Sequence, residues 1–257
     1  MTARLITIPF SHFCEKARWA LELCGVPYEE DPHLPIFAYL ATKRAGATRT
    51  VPVLVDGDTI VKDSTDIIAW ADAHRPATLL PADGVDRSDA LALEDDFDRH
   101  LGPATRRWAY FHMVDRKDLV RFLLRDVPRW EAVGFRATRP LAVAFLKRGL
   151  KIDAAGAERS RTKIDETFHN VGSLLGDGRR YLLGDRFTVA DLTFAALAAP
   201  VLFPPEYGVA LPSPDELPGP ARAQVETWRR SPPGQFALRL YAEHRHRGAR
   251  ATVTASA

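Results

Sequence analysis

A predicted β-hairpin around residue 57 is the feature of this sequence that most limits its possible folds. An Asp56-Gly57 pair stands between two runs rich in β-branched residues, 53–55 and 59–61. Asp-Gly between such runs is the strongest short-range hairpin signal, because the tight turn needs positive φ angles that glycine adopts without steric cost. Pro52 has no N–H to donate and is expected at the entry of the first strand. The sequence therefore predicts an antiparallel pair of short strands here.

The residues before the hairpin predict alternating strands and helices. Residues 4–8 indicate a short buried strand, followed by a helix with Ser11 as its N-cap and Gly25 as its stop signal. Residues 28–31 predict a second strand, parallel to the first, since a strand-helix-strand unit of this length implies a right-handed crossover. A short helix is expected over residues 35–44.

The hairpin is followed by a third predicted helix, capped by Asp63 or Ser64. The element order β-α-β-α-β-β-α is that of a thioredoxin-like domain, and the remainder of the chain has helical periodicity, which predicts an α-helical bundle domain. The fold class is thus α/β plus all-α. We divide the chain into residues 1–78, a linker at 79–86, a helical domain at 87–246 and a disordered tail at 247–257.

Composition excludes several classes of protein. A net charge of +2 and an isoelectric point near 8.6 are too mild, and the basic residues too scattered, for a nucleic-acid-binding surface. The sequence contains no signal-peptide pattern and no apolar run long enough to cross a bilayer. Cys14 and Cys24 lie too far apart on one helix to form a disulfide, which fits a reducing, cytoplasmic location. His244 and His246 have only the adjacent Glu243 as a nearby carboxylate, so we expect no metal.

Three segments, taken together and in order, resemble a known family. They are SHFCEKARWAL from residue 11, TVPVL from residue 50 and KDSTDIIAWAD from residue 62. They resemble the N-terminal domain of cytosolic glutathione S-transferases, in particular bacterial, theta- or omega-like members. The sequence TVAD at 188–191 resembles the family's helix-capping signature, for which a structural role is expected. The resemblance implies glutathione as the co-substrate.

The resemblance implies that Ser11 is catalytic, because it falls where theta-like members keep a serine. A serine hydroxyl can donate a hydrogen bond to a thiolate, and a helix N-terminus also stabilises the negative charge. Together these two effects would lower the pKa of the thiol by about one to two pH units. Cys14 has two interpretations, a small buried hydrophobe or a redox thiol near bound glutathione. The charged residues Glu15, Lys16 and Arg18 are expected to be solvated or to face another subunit.

The resemblance also implies how glutathione is held. Val51-Pro52 resembles the family's Val-cis-Pro turn, whose valine backbone pairs with the cysteinyl part of glutathione. Asp63-Ser64 resembles the Glu/Gln-Ser pair that holds the γ-glutamyl group, although Asp63 is one carbon shorter than the commoner glutamate. Two further cofactor-binding residues are expected, namely Phe13, and Lys43 near the glycyl carboxylate.

The substrate side is expected on the first long helix of the second domain, predicted at 87–113 as one helix or as two broken at Gly102-Pro103. In the family this helix borders the cleft that holds the electrophile, so its aromatic residues Trp108, Phe111 and His112 are the predicted substrate-binding residues. An aromatic stripe is equally typical of an ordinary core. Residues 115–156 form an enlarged region that is a candidate for shaping or covering the pocket.

The function predicted by the resemblance is that of a homodimeric glutathione S-transferase acting in detoxification. It activates the glutathione thiol as a thiolate for attack on a small hydrophobic electrophile that the sequence does not identify. Two alternatives stay open, a glutathione-dependent thiol transferase or peroxidase that uses Cys14, and a non-catalytic glutathione-binding relative.

Overall fold

The chain folds into a thioredoxin-like domain followed by a helical domain, as the sequence predicts. The structure, a computed structural model, describes residues 2–82, 84–245 and 250–251. Asp83 of the predicted linker, His246 and most of the predicted tail lie outside the described residues. The first domain consists of β1 (Ala3–Thr7), α1 (His12–Leu23), β2 (Tyr28–Pro32), α2 (Pro35–Arg44), β3 (Val53–Asp56), β4 (Thr59–Lys62) and α3 (Ser64–His74).

The strands form one sheet in the order β4-β3-β1-β2-β5, where β5 is Arg250–Ala251. β1 is parallel to β2 and antiparallel to β3, and β3 and β4 form the predicted hairpin. Ile6 lies opposite Val53, which in turn lies opposite Lys62. The end of β1, the start of β3 and the end of β4 therefore meet at one edge of the sheet.

The hairpin turn is shifted by one residue from its predicted position. Asp56 pairs with Thr59 across the ladder, so the two-residue loop is Gly57-Asp58 rather than Asp56-Gly57. Gly57 has a φ of 57°. A glycine with positive φ at the first loop position is typical of a type II′ turn, which twists in the sense that the flanking strands require.

The second domain is built around a buried central helix, Val189–Leu202. Its helices are α4 (Val85–Asp96), α5 (Gly102–Met113), α6 (Val120–Leu124), α7 (Arg129–Leu150), α8 (Ala154–Leu174), α9 (Val189–Leu202), α10 (Gly219–Arg230) and α11 (Pro232–His244). A π-helical turn, Phe97–Leu101, joins α4 to α5, so that residues 85–113 form one continuous helix. None of the helices within the described residues combines the length and the apolar composition needed to span a bilayer.

The start of α9 has the capping box that the sequence predicts. The backbone N–H and the hydroxyl of Thr188 both donate to Asp191 Oδ2, at 2.8 and 3.0 Å. The backbone N–H of Leu182 donates to the other carboxylate oxygen of Asp191 at 2.8 Å. All three hydrogen bonds are structural, because they satisfy backbone or side-chain donors at the entry of a buried helix.

The charged residues at the start of α1 are buried, contrary to the expectation that they are solvated or subunit-facing. Glu15, Lys16 and Arg18 have no exposed surface. The Lys16 ammonium donates to Glu94 and to both carboxylate oxygens of Asp98, at 2.8 and 2.7 Å. This cluster holds α1 against α4 and the π-helical turn.

Glu15 and Arg18 belong to a second buried cluster, which joins α1 to the end of α11. Glu15 accepts hydrogen bonds from Arg18 Nε at 3.0 Å, from Arg245 Nε at 2.8 Å and from the backbone N–H of Gly208 at 3.0 Å. Arg18 also donates to Glu30 Oε1 and to the carbonyl of Pro9, both at 2.7 Å. The position of α1 is therefore fixed in part by contacts outside its own domain.

Gly102 allows α1 to approach the start of α5 closely. A Cβ at this position would lie 2.6 Å from Phe13 Cζ and 3.4 Å from His12 Nε2. Gly102→Ala gains about 1 kcal/mol of helix propensity but overpacks this contact, which typically costs about 1–3 kcal/mol. We therefore expect a net loss of up to about 2 kcal/mol in the free energy of unfolding, measured by urea denaturation.

The control for this substitution is Gly149→Ala. Gly149 also lies within a helix, but a Cβ added there would have no other atom within 4 Å. The control should gain stability by about 1 kcal/mol from helix propensity alone. Equal gains in the two variants would show that Phe13 gives way without cost.

Candidate functional site

Three of the predicted site segments, at Ser11, Val51-Pro52 and Asp63, meet at the sheet edge where β1 and β4 end and β3 begins. Ser11 follows β1 and caps α1, and Asp63 follows β4 and caps α3. The Val51-Pro52 peptide bond, which precedes β3, is cis, as the resemblance implies. Because β1, β3 and β4 are neighbours in register, these three segments lie side by side. Two helix N-termini, with their unpaired backbone donors, begin at this edge.

Ser11 is half-buried at the N-terminus of α1. Its Oγ accepts a hydrogen bond from the backbone N–H of Cys14 at 3.5 Å, and its own N–H donates to the carbonyl of Ile8 at 2.9 Å. The contact with the Cys14 N–H uses only a lone pair of the hydroxyl, and the hydroxyl is also close enough to hydrogen-bond the Cys14 sulfur. Because a hydroxyl hydrogen rotates, it can turn to an anion at the helix terminus.

Asp63 presents an exposed carboxylate at the start of α3. Its Oδ1 accepts from the backbone N–H of Thr65 at 3.1 Å and from the hydroxyl of the buried Ser64 at 3.4 Å. Asp63 has a φ of 73°, a left-handed conformation that few residues other than glycine adopt. Such strained residues cluster at binding sites, so Asp63 is a candidate for ligand contact beyond its role as a cap.

Cys14 lies on the inner face of α1 and is fully buried. Burial raises the pKa of its thiol to about 11, and this effect outweighs the nearby Arg18 guanidinium and the hydrogen bonds from Ile8 and Ser11. A buried thiol with a raised pKa is a poor nucleophile and is hard for a disulfide to reach. The environment of Cys14 therefore fits the structural interpretation.

The two remaining cofactor candidates are placed differently from the sheet-edge group. Lys43 lies exposed in the last turn of α2. Phe13 packs its ring 4.6 Å from the ring of His12 and against Gly102 at the start of α5. Phe13 therefore faces the helical domain and packs α1 against α5. It does not lie with Ser11, Val51-Pro52 and Asp63 at the sheet edge.

An apolar cavity of about 100 Å³ lies between the first domain and the helical domain. His12, which follows Ser11, lines its wall, and one face of α5 supplies residues at i, i+3, i+4 and i+7. The residues of α5 that line it are Arg106, Ala109, Tyr110 and Met113. Phe10, which precedes Ser11 in the chain, and Tyr207, whose hydroxyl donates to the carbonyl of Phe10, also line the cavity. The cavity is therefore positioned to hold an apolar molecule beside the sheet edge.

The predicted substrate residues Trp108, Phe111 and His112 lie on α5, which lines the cavity, but on another face of that helix. Trp108 is 4% exposed and packs edge-to-face on Trp228, with ring centroids 4.8 Å apart. Phe111 and His112 pack on each other, and His112 also contacts Trp108. None of these three described residues lines the cavity, because successive residues of a helix are rotated by 100° and the opposite face meets α10.

The enlarged region at 115–156 contributes directly to the cavity wall. Leu119, Phe122 and Leu123, from α6 and the turn before it, and Leu146 of α7 line it. A second apolar cavity, also of about 100 Å³, lies between α7 and α2 and shares Leu123 and Leu146 with the first. This region therefore shapes the apolar cleft, as the sequence suggested without identifying residues.

The N-terminus of α7 is fixed to the first domain by a buried carboxylate. Glu131 Oε1 lies 2.5 Å from His33 Nδ1, and Glu131 Oε2 accepts the backbone N–H of Leu34 at 2.8 Å. His33 Nε2 also lies 3.0 Å from Asp31 Oδ1. Burial alone would lower the pKa of His33, but the hydrogen bonds and charges of Asp31 and Glu131 outweigh it and raise the pKa to about 9.

This contact predicts a pH-dependent attachment of α7. Since the pKa of His33 in the folded chain is above its ordinary value of about 6.5, the stabilisation is fully present below that value and is lost as the pH rises through about 9. Hydrogen exchange at the first turn of α7, corrected for the intrinsic effect of pH, should accelerate between neutral pH and about 10. His33→Asn should remove that pH dependence; an unchanged profile would contradict the assignment.

Within the described ranges, no group of three or more His, Cys, Asp or Glu side chains is arranged to hold a metal ion. His244, one of the two histidines considered from sequence, instead contacts the hydroxyl of Tyr181 at 3.0 Å through Nε2.

Comparison with known proteins gives a family for the first domain and a fold for the whole chain. Residues 5–79 match the family model described as the glutathione S-transferase N-terminal domain. A comparison of the sequence with curated proteins gave no match.

Solved structures similar over nearly the whole chain include glutathione S-transferases of low sequence identity. One, from Ceriporiopsis subvermispora in complex with glutathione, is 18% identical, with 96% of this chain and 98% of that chain covered and a TM-score of 0.59. One from Xanthobacter autotrophicus Py2 is 17% identical, with 94% and 93% covered and a TM-score of 0.60. One from Methylobacterium radiotolerans, in complex with glutathione sulfonate, is 21% identical, with 93% and 95% covered and a TM-score of 0.53. At these identities the similarity establishes the fold alone.

Proposed function

We propose that this chain, whose first domain belongs to the glutathione S-transferase N-terminal domain family, transfers glutathione to a hydrophobic electrophile. The observation that carries the proposal is the position of Ser11. Its hydroxyl lies at the N-terminus of α1, at the sheet edge that also bears the cis Val51-Pro52 bond and Asp63, and the next residue lines an apolar cavity. A polar edge beside an apolar cavity suits a reaction between a peptide thiol and an apolar partner.

The proposed binding mode assigns each part of glutathione to one chemical group of the chain. The exposed Asp63 carboxylate receives the ammonium of the γ-glutamyl group, and Ser64 with the N-terminus of α3 receives its carboxylate. The backbone of Val51 pairs with the cysteinyl part, since Val51 lies just before β3 at the same edge. Lys43 is the candidate for the glycyl carboxylate.

Ser11 would stabilise the thiolate without forming a covalent bond. The thiol proton leaves to solvent, the Ser11 hydroxyl donates to the resulting sulfur anion, and the N-terminus of α1 contributes a further favourable field. The thiolate then attacks the electrophilic carbon, forming the carbon–sulfur bond while the leaving group departs with its electron pair. Thiolate is the nucleophilic form, so lowering the thiol pKa raises the reactive fraction at neutral pH.

The burial and raised pKa of Cys14 argue against a thiol transferase or peroxidase that would use this residue. A mixed disulfide on Cys14 requires its sulfur to reach the sulfur of oxidised glutathione. Mass spectrometry after incubation with oxidised glutathione should therefore find no adduct on Cys14.

The proposed function is tested by binding and turnover together. Isothermal titration should detect glutathione binding, and a panel of aromatic and aliphatic electrophiles should include at least one that is conjugated. Failure to bind glutathione would reject the proposal, and binding without turnover on any electrophile would favour a non-catalytic relative. A homodimer is part of the proposal, and sedimentation of a monomer would contradict it.

A further inference from the structure

Arg106 is the one charged side chain among the described residues that line the apolar cavity. Its guanidinium forms no ion pair with a described carboxylate. The adjacent Arg107 shows the usual alternative, since it donates to the carbonyl of Leu150 at 3.1 Å and to Ser160 Oγ at 3.0 Å. Arg106 is half-buried, so its guanidinium keeps part of its hydration and is able to pair with an anion bound in the cavity.

A second donor lies one helical turn from Arg106. Tyr110 lines the same cavity at i+4, and burial raises the pKa of its hydroxyl to about 12, so that it stays protonated and able to donate. The other phenol of the cavity, Tyr207, already donates to the carbonyl of Phe10 at 3.3 Å. Arg106 and Tyr110 therefore provide two donors on the same face of α5.

His12 does not supply the missing counter-charge. Its Nε2 lies 2.9 Å from the carbonyl of Gly102, which assigns the proton to Nε2 and leaves Nδ1 as an acceptor. Burial, reinforced by the charge of Arg106, lowers the pKa of His12 to about 3, so the ring is neutral. The cavity thus combines an apolar wall, one fixed positive charge and no fixed negative charge among its described lining residues.

We propose that the cavity selects electrophiles that carry a carboxylate, with an apolar body in the cavity and the carboxylate on Arg106 and Tyr110. The proposal rests on the proposed function, because it assumes that the cavity seats the electrophile. Arginine suits this role, since its planar fork binds a carboxylate through two parallel hydrogen bonds, whereas a neutral ester offers no charge to pair with it.

The test uses 4-chloro-3,5-dinitrobenzoate and its methyl ester, which share the reactive ring and differ in charge. Binding is measured by isothermal titration without glutathione, so that the result does not depend on catalysis. The wild-type protein should bind the benzoate at least about tenfold more tightly than the ester. Arg106→Gln should weaken benzoate binding by about 10- to 150-fold, the range for loss of a hydrogen bond to a charged group, and should leave ester binding within about twofold.

Further variants separate loss of charge from loss of structure. Arg106→Lys should still bind the benzoate more tightly than the ester. Tyr110→Phe should weaken binding of the benzoate by only several-fold. Arg99→Gln is the matched control. Arg99 lies on the π-helical turn, is exposed, forms an ion pair with Asp95 and does not line the cavity. It should bind both compounds as the wild type does.

Two results would overturn the proposal. One is equal affinity of the wild-type protein for the benzoate and the ester. The other is that Arg106→Gln weakens binding of the benzoate and binding of the ester by the same factor. Failure of the proposed function would look different. In that case the benzoate would still bind selectively through Arg106, but glutathione would not be conjugated to either compound.

Discussion

Ser11→Ala is expected to lower kcat/KM for glutathione conjugation by about 10- to 150-fold while changing the Kd for glutathione by no more than about twofold. The substitution removes one hydrogen bond to a sulfur anion, and hydrogen bonds to charged groups contribute about 1.5–3 kcal/mol. It keeps the helix N-terminus and the proposed contacts of Val51 and Asp63. The loss should therefore fall on the thiolate and not on the bound tripeptide.

The pKa of bound glutathione tests the reason for this loss. The thiol of bound glutathione is titrated by following the ultraviolet absorbance of its thiolate as a function of pH. Its pKa should be higher on the variant than on the wild-type protein by about one pH unit or more, since 1.36 kcal/mol corresponds to one pKa unit. Cys14→Ala is the matched control on the same helix and should keep wild-type turnover. Unchanged turnover in Ser11→Ala, or a large loss of turnover in Cys14→Ala, would contradict the catalytic role of Ser11.

Glu15→Gln is expected to lower the free energy of unfolding by about 3–5 kcal/mol, the range for removing one partner of a buried ion pair. Glu15 has no exposed surface and accepts hydrogen bonds from Arg18 and Arg245. Burial raises its pKa, but the two guanidinium groups outweigh burial and hold the pKa at about 2. The amide is similar in shape, yet it leaves the positive charges without their shared counter-ion.

Urea denaturation at neutral pH measures this loss. Glu158→Gln is the control, because Glu158 forms an exposed ion pair with Arg161 of the kind that contributes about 0–1 kcal/mol. Since the pKa of Glu15 is below its ordinary value near 4.5, its contribution is present above that pH and lost as the pH falls through about 2. Equal destabilisation of the two variants would mean that the buried cluster contributes no more than a surface pair.

The parts of the fold that sequence predicted correctly are those determined by neighbouring residues. The β-α-β-α-β-β-α order follows from local periodicity and from Pro and Gly signals, and the capping box needs only Thr188 and Asp191. The hairpin was located to within one residue, because an Asp-Gly-Asp stretch permits either of two loop positions. Local signals of this kind do not depend on the rest of the chain.

The parts that sequence did not predict depend on residues far along the chain. Each face of α5 carries at least one aromatic residue, and the packing of Trp108 on Trp228 decides which face is core. Arg106 and Tyr110, at i and i+4, provided the only sequence signal for the other face. In the same way, Glu15 and Lys16 look like surface charges until Arg245 and Glu94 are known to pair with them.

The contact between Glu15 and Arg245 has a consequence for synthesis of the chain. The two residues are separated by 230 positions, so the ribosome makes the helix that bears Ser11 long before it makes Arg245, the second of the two arginines that pair with Glu15. Domains generally fold in the order in which they emerge, N-terminal first. We expect the nascent first domain to remain loosely structured at α1 until α11 has emerged, so that the proposed thiolate site is among the last features of the molecule to mature.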